Sequence, residues 1–411
     1  MTAGPAVRRL GDWDAGDLRS LAAEDGTPLY VVDLDRVAEN LARLRDAFPD
    51  ARVHYAAKAN AGRAVLERLA DEGAGVECAS AGEVVRAFEA GFAGEDVLYT
   101  AVNPPARDLD TVVSIAADHP DLTITAGARD TIDRLEAREY RDRLAIRVHP
   151  GVGAGHGEKV ATGGDASFGI PADHVPAVLE DAHDRGFDVV GIHAHTGSGL
   201  TNEDRDAHRA VVETLADVAE SVDLDLEFAD VGGGFGVPYR PEEPPLDLAP
   251  IAEATREALA NLDVQLAIEP GRYLVADAGV LLTEVNTVKP RDGGVFAGVD
   301  AGMTTLLRPA LYDAYHHIRS IAPGAPDRSE RSVTVVGPVC ESSDVLGENR
   351  TLPDPERGDI LAIGNAGAYG IEMANQYNSR PRPSVVALED GADRVVRRRE
   401  AIDDVTAMEV L

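Results

Sequence analysis

From residue 29 to about residue 275 the chain repeats one pattern: a short apolar run, then a charged stretch with helical spacing. The apolar runs are LYVVD (29–33), RVHYAA (52–57), GVECA (75–79), DVLYTA (96–101), LTIT (122–125), LAIRV (144–148), FDVVGIHAH (187–195), LEFADV (226–231) and VQLAIE (264–269). Near-continuous apolar strands alternating with amphipathic helices, such as DRDAHRAVVETLADVAESV (204–222), are the pattern of parallel β/α units. Eight such units close a barrel and nine are one too many. Leu29–Asp33 is therefore free to pair elsewhere, which leaves eight strands between residues 52 and 269. Beyond about residue 275 the helical spacing fades. VLLTEVNTV (280–288), GVFAGVD (294–300), VTVVGPV (333–339), DILAI (359–363) and SVVALED (384–390) are strands separated by Pro, Gly and Asp turns. PYRPEEPPLDL (238–248) is expected to be an exposed loop. The expected fold class is α/β: a (β/α)8 TIM barrel plus a mostly-β C-terminal domain.

Charge restricts what such a fold can bind. Thirty-nine basic residues against 72 acidic ones give a formal charge of −33. A surface this acidic excludes unaided binding to nucleic acid or to an anionic membrane, since both require basic patches. Of the basic residues only Lys58, Lys159 and Lys289 are lysines. Acidic, lysine-poor composition suits concentrated salt, so a halophilic protein is expected; compositional drift is the alternative. Cys78 and Cys340 are too few and too far apart for a disulfide framework or a zinc site. No apolar run reaches the ~18 residues of a membrane span, and the N-terminus carries no apolar signal core. A cytoplasmic enzyme is expected.

Barrel enzymes build their sites at the C-terminal ends of the strands, and four strand ends here carry unusual polar groups. Lys58 ends the first barrel strand in YAAKAN; His195 and Ser198 follow the sixth in GIHAHTGSG. Gly232, Gly233 and Gly234 follow the seventh in DVGGGFG, and Glu269 with Arg272 follow the eighth in AIEPGRYLV. A lysine after an apolar run can be desolvated and form a Schiff base, although a snorkelling surface lysine would look the same. Backbone N–H groups of a glycine run can cradle a phosphate. No Gly-x-Gly-x-x-Gly opens a helix with an acid ~20 residues on, which disfavours a dehydrogenase. GVGAGHG (151–157) is a second glycine run, or simply a mobile loop. Lysine, phosphate cradle and strand-end carboxylate together suggest pyridoxal 5'-phosphate (PLP), with Glu269 keeping the pyridinium nitrogen protonated. An ion pair between Glu269 and Arg272 is the competing reading.

The motifs YAAKAN, VHPGVGAGHGEKVATGGDASFGI, GIHAHTGSG, DVGGGFG, EPGRYLV, RPALYDAYH, GPVCESSDVLG, NAGAYG and YNSRPRP, in this order over roughly residues 25–400, resemble the fold-type III PLP-dependent decarboxylases. Within them the resemblance is to the branch that converts meso-2,6-diaminopimelate to L-lysine and carbon dioxide. The resemblance implies a barrel over residues 34–274 and a β domain built from 1–33 and 275–411, which accounts for the ninth strand. It implies that Lys58 holds the cofactor covalently, His195 stacks on its ring, and Glu269 holds its nitrogen. Ser198, Gly232, Gly233, Gly234 and Tyr369 would hold the phosphate. Arg272, Arg308 and Tyr312 would bind the substrate carboxylate, and Glu341 its distal ammonium. Cys340 would return a proton to carbon after carbon dioxide leaves; a small buried hydrophobe is the alternative for that thiol. The Cys-Glu-Ser segment would reach the site of a partner subunit, so a homodimer is implied. Cys78 is expected to be an inert core residue, and His193 a support for His195.

Three positions depart from the family: Glu77 in place of Asp, Thr196 in place of Ile or Val, and Ser167 where a lysine or similar residue is common. They bear on fine substrate geometry rather than on the reaction. Competing functions are decarboxylation of carboxynorspermidine or another basic amino acid, and a catalytically silent cofactor-binding regulator. Retention of Lys58, His195, Glu269 and Cys340 argues against the second.

Overall fold

The computed structural model describes residues 6–151, 154–155 and 168–410. The chain divides into two compact units. One holds residues 40–237 and 246–274, the other the chain up to Glu39, Pro238–Pro245 and everything from Val275.

The first strand of the chain, β1 (Leu29–Asp33), belongs to the second of these units. The first unit contains β2 (Arg52–Ala56), β3 (Gly75–Cys78), β4 (Val97–Tyr99), β5 (Thr123–Ala126), β6 (Arg143–His149), β7 (Asp188–His193), β8 (Phe228–Asp230) and β9 (Gln265–Ile268). Each pairs in parallel with the next, and β9 returns to β2 with Ala267 opposite Arg52 and Ile268 opposite Val53. Eight strands thus close a (β/α)8 barrel, and they are the eight runs expected between residues 52 and 269. Their interiors are almost wholly buried, as strands covered by helices must be. Phe228 fills space that Gly191 leaves on the neighbouring strand: a Cβ there would lie 2.7 Å from the Phe228 ring.

In the second unit β1 lies between β10 (Gly279–Arg291) and β16 (Ser384–Glu389). It runs antiparallel to β10, with Leu29 opposite Leu282, and parallel to β16, with Leu29 opposite Ser384. The sheet order is β14 (Val345–Pro353), β13 (Glu330–Val336), β11 (Gly294–Val299), β10, β1, β16, β17 (Ala392–Arg397). β15 (Ile360–Ile363) bridges β10 and β12 (Ile318–Ser320). The ninth apolar run is therefore a central strand of the β unit. Its core gathers Leu10, Trp13, Leu18 and Leu21 from the N-terminal segment with Val31, Val280, Leu282 and Val386. The helix Ala15–Asp25 starts there because Asp14 caps it, accepting from the N–H groups of Gly16 and Asp17. β12, β14 and β17 escaped the pattern reading: β12 has three residues, and β14 and β17 are polar, with β17 mostly exposed. Residues 240–245 form a largely exposed connection without regular structure, as expected. No helix among the described residues is long and apolar enough to cross a membrane.

Thr196 has a packing role. Its hydroxyl meets Nδ1 of buried His208 at 3.3 Å, and His208 Nε2 meets Thr255 Oγ1 at 2.8 Å. The Thr255 hydroxyl donates to the Ile251 carbonyl, so His208 donates through Nε2 and accepts the Thr196 hydroxyl at Nδ1. The side chain thus satisfies a histidine on the helix Arg205–Glu220, and burial pushes that histidine down to about 4. Removing the hydroxyl in Thr196→Val leaves Nδ1 unmet and is expected to cost about 1–3 kcal/mol of stability. His208 takes up a proton in the unfolded chain near pH 6.5 and in the folded one only near 4, so its contribution falls as pH drops through that window. The difference in unfolding free energy between the wild type and His208→Gln should shrink by about 1.4 kcal/mol per pH unit there. Denaturant titrations at several pH values check this; a constant difference overturns the assignment.

Candidate active site

The polar residues at the barrel's strand ends converge on one another. Lys58 sits in the 3-10 turn Ala57–Ala59 that ends β2, with Nζ 2.9 Å from Oε2 of Glu77 on β3. Glu77 is buried while Lys58 is half-exposed, so the ammonium faces an open side of the rim. Burial raises the Glu77 carboxyl and Lys58 opposes that rise.

Glu269 follows β9 and His193 ends β7, with His193 Nε2 3.1 Å from Glu269 Oε2. A carboxylate oxygen only accepts, so Nε2 carries the hydrogen. Burial would raise the Glu269 carboxyl, but His193, through its field and hydrogen bond, and the charge of Lys58 hold it well below the usual range. Glu269 therefore pairs with His193, not with Arg272. Its other oxygen, Oε1, is buried without a partner among the described residues. The supporting role expected of His193 is directed at Glu269.

His195 lies two residues beyond His193. Its Nδ1 accepts the Gly233 N–H at 3.2 Å, which leaves the hydrogen on Nε2. Burial, with the charges of Lys58 and Arg147, pushes the ring down to about 3, so it is a neutral imidazole. Ser198 is placed by the pairing of Gly197–Ser198 with Ala154–Gly155, and Arg272 Nη2 donates to its Oγ at 3.3 Å. A hydroxyl and a guanidinium brought together at a strand end suit a phosphate or carboxylate oxygen.

The three glycines do more than expose N–H groups. Gly232 N–H donates to Asp230 Oδ1 at 2.8 Å and Gly233 N–H to His195, so two of the three donors are already engaged. What requires glycine is backbone approach. A Cβ on Gly233 would lie 2.0 Å from the Glu269 carbonyl oxygen, and one on Gly234, at φ +97°, 2.3 Å from that of Gly197.

Three charged or ionisable groups of this cluster were not singled out from sequence: Asp230, Arg147 and His54. Each interrupts an apolar strand run (FADV, LAIRV, RVHYAA), which is the mark that could have found them. Asp230 is fully buried beside Glu269, with His193, Asp230 and Glu269 presenting donor atoms within 4.8 Å of one another. Arg147 lies in the field of Glu269 and Glu77. Burial pushes His54 down to about 4. Cys78 is fully buried, its thiol raised by burial, as expected of an inert core residue.

The remaining expected residues lie in the β unit. Arg308 is buried and donates through Nη1 to Nε2 of His316 at 2.8 Å, while His316 Nδ1 donates to the Gly364 carbonyl. The Arg308 guanidinium also lies over the Tyr239 ring, 4.8 Å from its centre. Tyr312 is exposed, and Tyr369 holds a left-handed φ of +55°, uncommon for a bulky side chain. Cys340 and Glu341 occupy an exposed loop tip, with Cys340 Sγ 3.6 Å from Asn378 Oδ1 and Glu341 accepting from the Tyr377 hydroxyl. Lys159, Ser167 and most of GVGAGHG lie outside the described residues.

Residues 34–276 match the model of the pyridoxal-dependent decarboxylase family, pyridoxal binding domain. The chain belongs to this family. It is 44% identical over 406 residues to a diaminopimelate decarboxylase of Methanothermobacter thermautotrophicus, covering 95% of this chain and 93% of the relative. A diaminopimelate decarboxylase of Deinococcus radiodurans is 39% identical, with 96% and 98% covered. Among solved structures, diaminopimelate decarboxylase from Helicobacter pylori complexed with L-lysine superposes with a TM-score of 0.88 at 32% identity, covering 95% and 98%. The family's cofactor is PLP, and the site fits it: Oε1 of Glu269 is a buried acceptor in need of a donor, Lys58 presents an amine, and the Ser198–Arg272 pair suits an oxyanion. For this decarboxylase, Gly233→Ala should cost about 1–3 kcal/mol in overpacking and abolish cofactor absorbance. Gly11→Ala, where a Cβ meets nothing within 4 Å, is the control that should leave both unchanged.

Proposed function

We propose that the chain removes carbon dioxide from meso-2,6-diaminopimelate, giving L-lysine, as a PLP-dependent carboxy-lyase. The observation that carries this is Glu269: a buried carboxylate held ionised by His193, with one oxygen left unmet, on the rim that also bears Lys58. PLP, when bound, supplies an electron sink for the pair left on carbon as the carboxylate departs. Lys58 would hold it through Nζ, with Glu77 as the buried counter-charge that takes and returns the lysine's proton. Glu269 would accept the ring nitrogen's hydrogen at Oε1. The neutral His195 face would lie against the ring, adding no second positive charge beside it. Ser198, Arg272, Tyr369 and, from the glycine run, the Gly234 N–H would fix the phosphate, since those of Gly232 and Gly233 are given to Asp230 and His195.

Arg272 and Arg308 suit the substrate's carboxylates because a guanidinium binds them through two parallel hydrogen bonds. Tyr312 would share that task, and Glu341 would take the distal ammonium. When the bond between Cα and the carboxylate breaks, a proton must replace carbon dioxide on the same carbon. Cys340 Sγ would deliver it and regain it from solvent. Cys340 and Glu341 are exposed on their loop tip, whereas a proton donor to carbon works best where water is kept out. A homodimer in which this loop completes the partner's site resolves that conflict. The barrel expected over 34–274 gives up residues 34–39 and Pro238–Pro245 to the β unit, and the units of this reading take those bounds. The acidic, lysine-poor surface suits a halophilic cytoplasm, where thiols such as Cys340 stay reduced.

Purified in high salt, the protein should be yellow and convert meso-diaminopimelate to L-lysine and carbon dioxide in equal amounts. Lys58→Ala should lose both turnover and borohydride-trappable cofactor; trapping that persists in this variant would sink the assignment. Turnover of carboxynorspermidine but not diaminopimelate would keep the chemistry and replace the substrate. Inactive Lys58→Ala and Cys340→Ala chains, dissociated and reassociated together, should regain activity that neither has alone. No recovery in mixed dimers would show that each chain completes its own site.

A further inference from the structure

Asp230 and Glu269 are carboxyl groups buried side by side at the ends of neighbouring strands, Asp230 with no exposure and Glu269 with 4%. Each has one oxygen engaged: Asp230 Oδ1 accepts the Gly232 N–H, and Glu269 Oε2 accepts from His193. The other two, Asp230 Oδ2 and Glu269 Oε1, are buried with no partner among the described residues. Ionised carboxylate oxygens only accept, so two of them cannot satisfy each other, and like charges so close cannot both persist. One proton removes both difficulties, turning one oxygen into a donor for the other carboxyl. The surroundings decide which group keeps it. Glu269 has the His193 N–H and the field of Lys58, whereas Asp230 has one amide N–H and faces the charges of Glu269 and Glu77. Burial with the repulsion of Glu269 drives the Asp230 carboxyl well above its usual range.

We propose that Asp230 is a neutral carboxylic acid that donates its O–H to Glu269, making Glu269 the only anion of the His193–Asp230–Glu269 cluster. The role rests on the reading of Glu269 as the partner of the cofactor's ring nitrogen. Oε1 has two lone pairs, so it accepts the Asp230 O–H and keeps one for the ring nitrogen. A carboxylate already receiving bonds from His193 and Asp230 is a weaker base than one receiving a single bond, so the proton it shares with that nitrogen stays on the nitrogen. Asp230 acts through Glu269 and is a positioning residue.

The test starts with the apoenzyme. At neutral pH the infrared difference between wild type and Asp230→Asn should show loss of a protonated-acid C=O stretch that shifts in deuterated water. The amide of Asp230→Asn donates and accepts in the same places, so it should bind PLP with the wild-type pH profile across the neutral range. Asp230→Ala, lacking the donor, should loosen PLP about tenfold. Absence of the acid band overturns the proposal, as does an Asn variant that loses PLP as fully as the Ala variant. A divalent ion bound one per chain and lost in Asp230→Asn also overturns it, because a cation would then hold the two carboxylates together. An acid band in a wild type that binds no PLP would leave Asp230 protonated and sink the cofactor reading instead. Should Asp230→Ala fail to fold, the infrared difference and the Asn pH profile still decide.

Discussion

The barrel rim depends on how closely the Gly232–Gly234 backbone approaches its neighbours. Gly232 O accepts the Glu269 N–H at 2.9 Å, and Gly234 O accepts the N–H groups of Gly199 and Leu200. Those contacts tie the ends of β7, β8 and β9 into one piece, and a Cβ on any of the three glycines would lie within 2.5 Å of a carbonyl oxygen of Ala194, Glu269 or Gly197. Glu269, His195 and Ser198 are consequently held by backbone rather than by long side-chain packing. A site that must keep a carboxylate, an imidazole and a hydroxyl in fixed relation gains rigidity from such an interlock. The glycine run looks at first like a phosphate cradle alone; in the fold it is equally the fastening of three strands.

Charge is arranged on two scales. Over the whole chain the formal charge is −33, which would repel a substrate bearing two carboxylates. High salt screens that field to about 3 Å at 1 M, so only local groups act on a bound ligand. Locally the positive groups are arginines with defined partners: Arg272 on Ser198, and Arg308 on His316. His316 donates through Nδ1 to the Gly364 carbonyl, so its Nε2 is the acceptor that receives the buried Arg308 guanidinium.

The barrel was legible because parallel strands covered on both faces leave predominantly apolar runs, and all eight were visible as such despite single polar letters in some of them. The N-terminal strand was legible by counting, since a closed barrel has no place for a ninth. Polar edge strands such as Ala392–Arg397 were not, because an exposed strand carries no apolar alternation to detect. At the site, Lys58, His195 and Glu269 stood out as polar residues just beyond apolar runs. Asp230 and Arg147 did not, lying within the runs where one polar letter looks like an interruption. Pairings such as His193 with Glu269 join residues 76 positions apart, and only the closed barrel brings them together.

Lysine scarcity connects the surface to the chemistry. Arginine replaces lysine almost everywhere, and it can do so wherever a permanent, spread-out charge is enough. Position 58 keeps an amine, 2.9 Å from a Glu77 carboxyl that burial raises, and an amine beside such a carboxyl can release a proton that a guanidinium would hold. Of the other two lysines, Lys289 is exposed on β10. Lys58 differs from it in standing against a buried carboxyl.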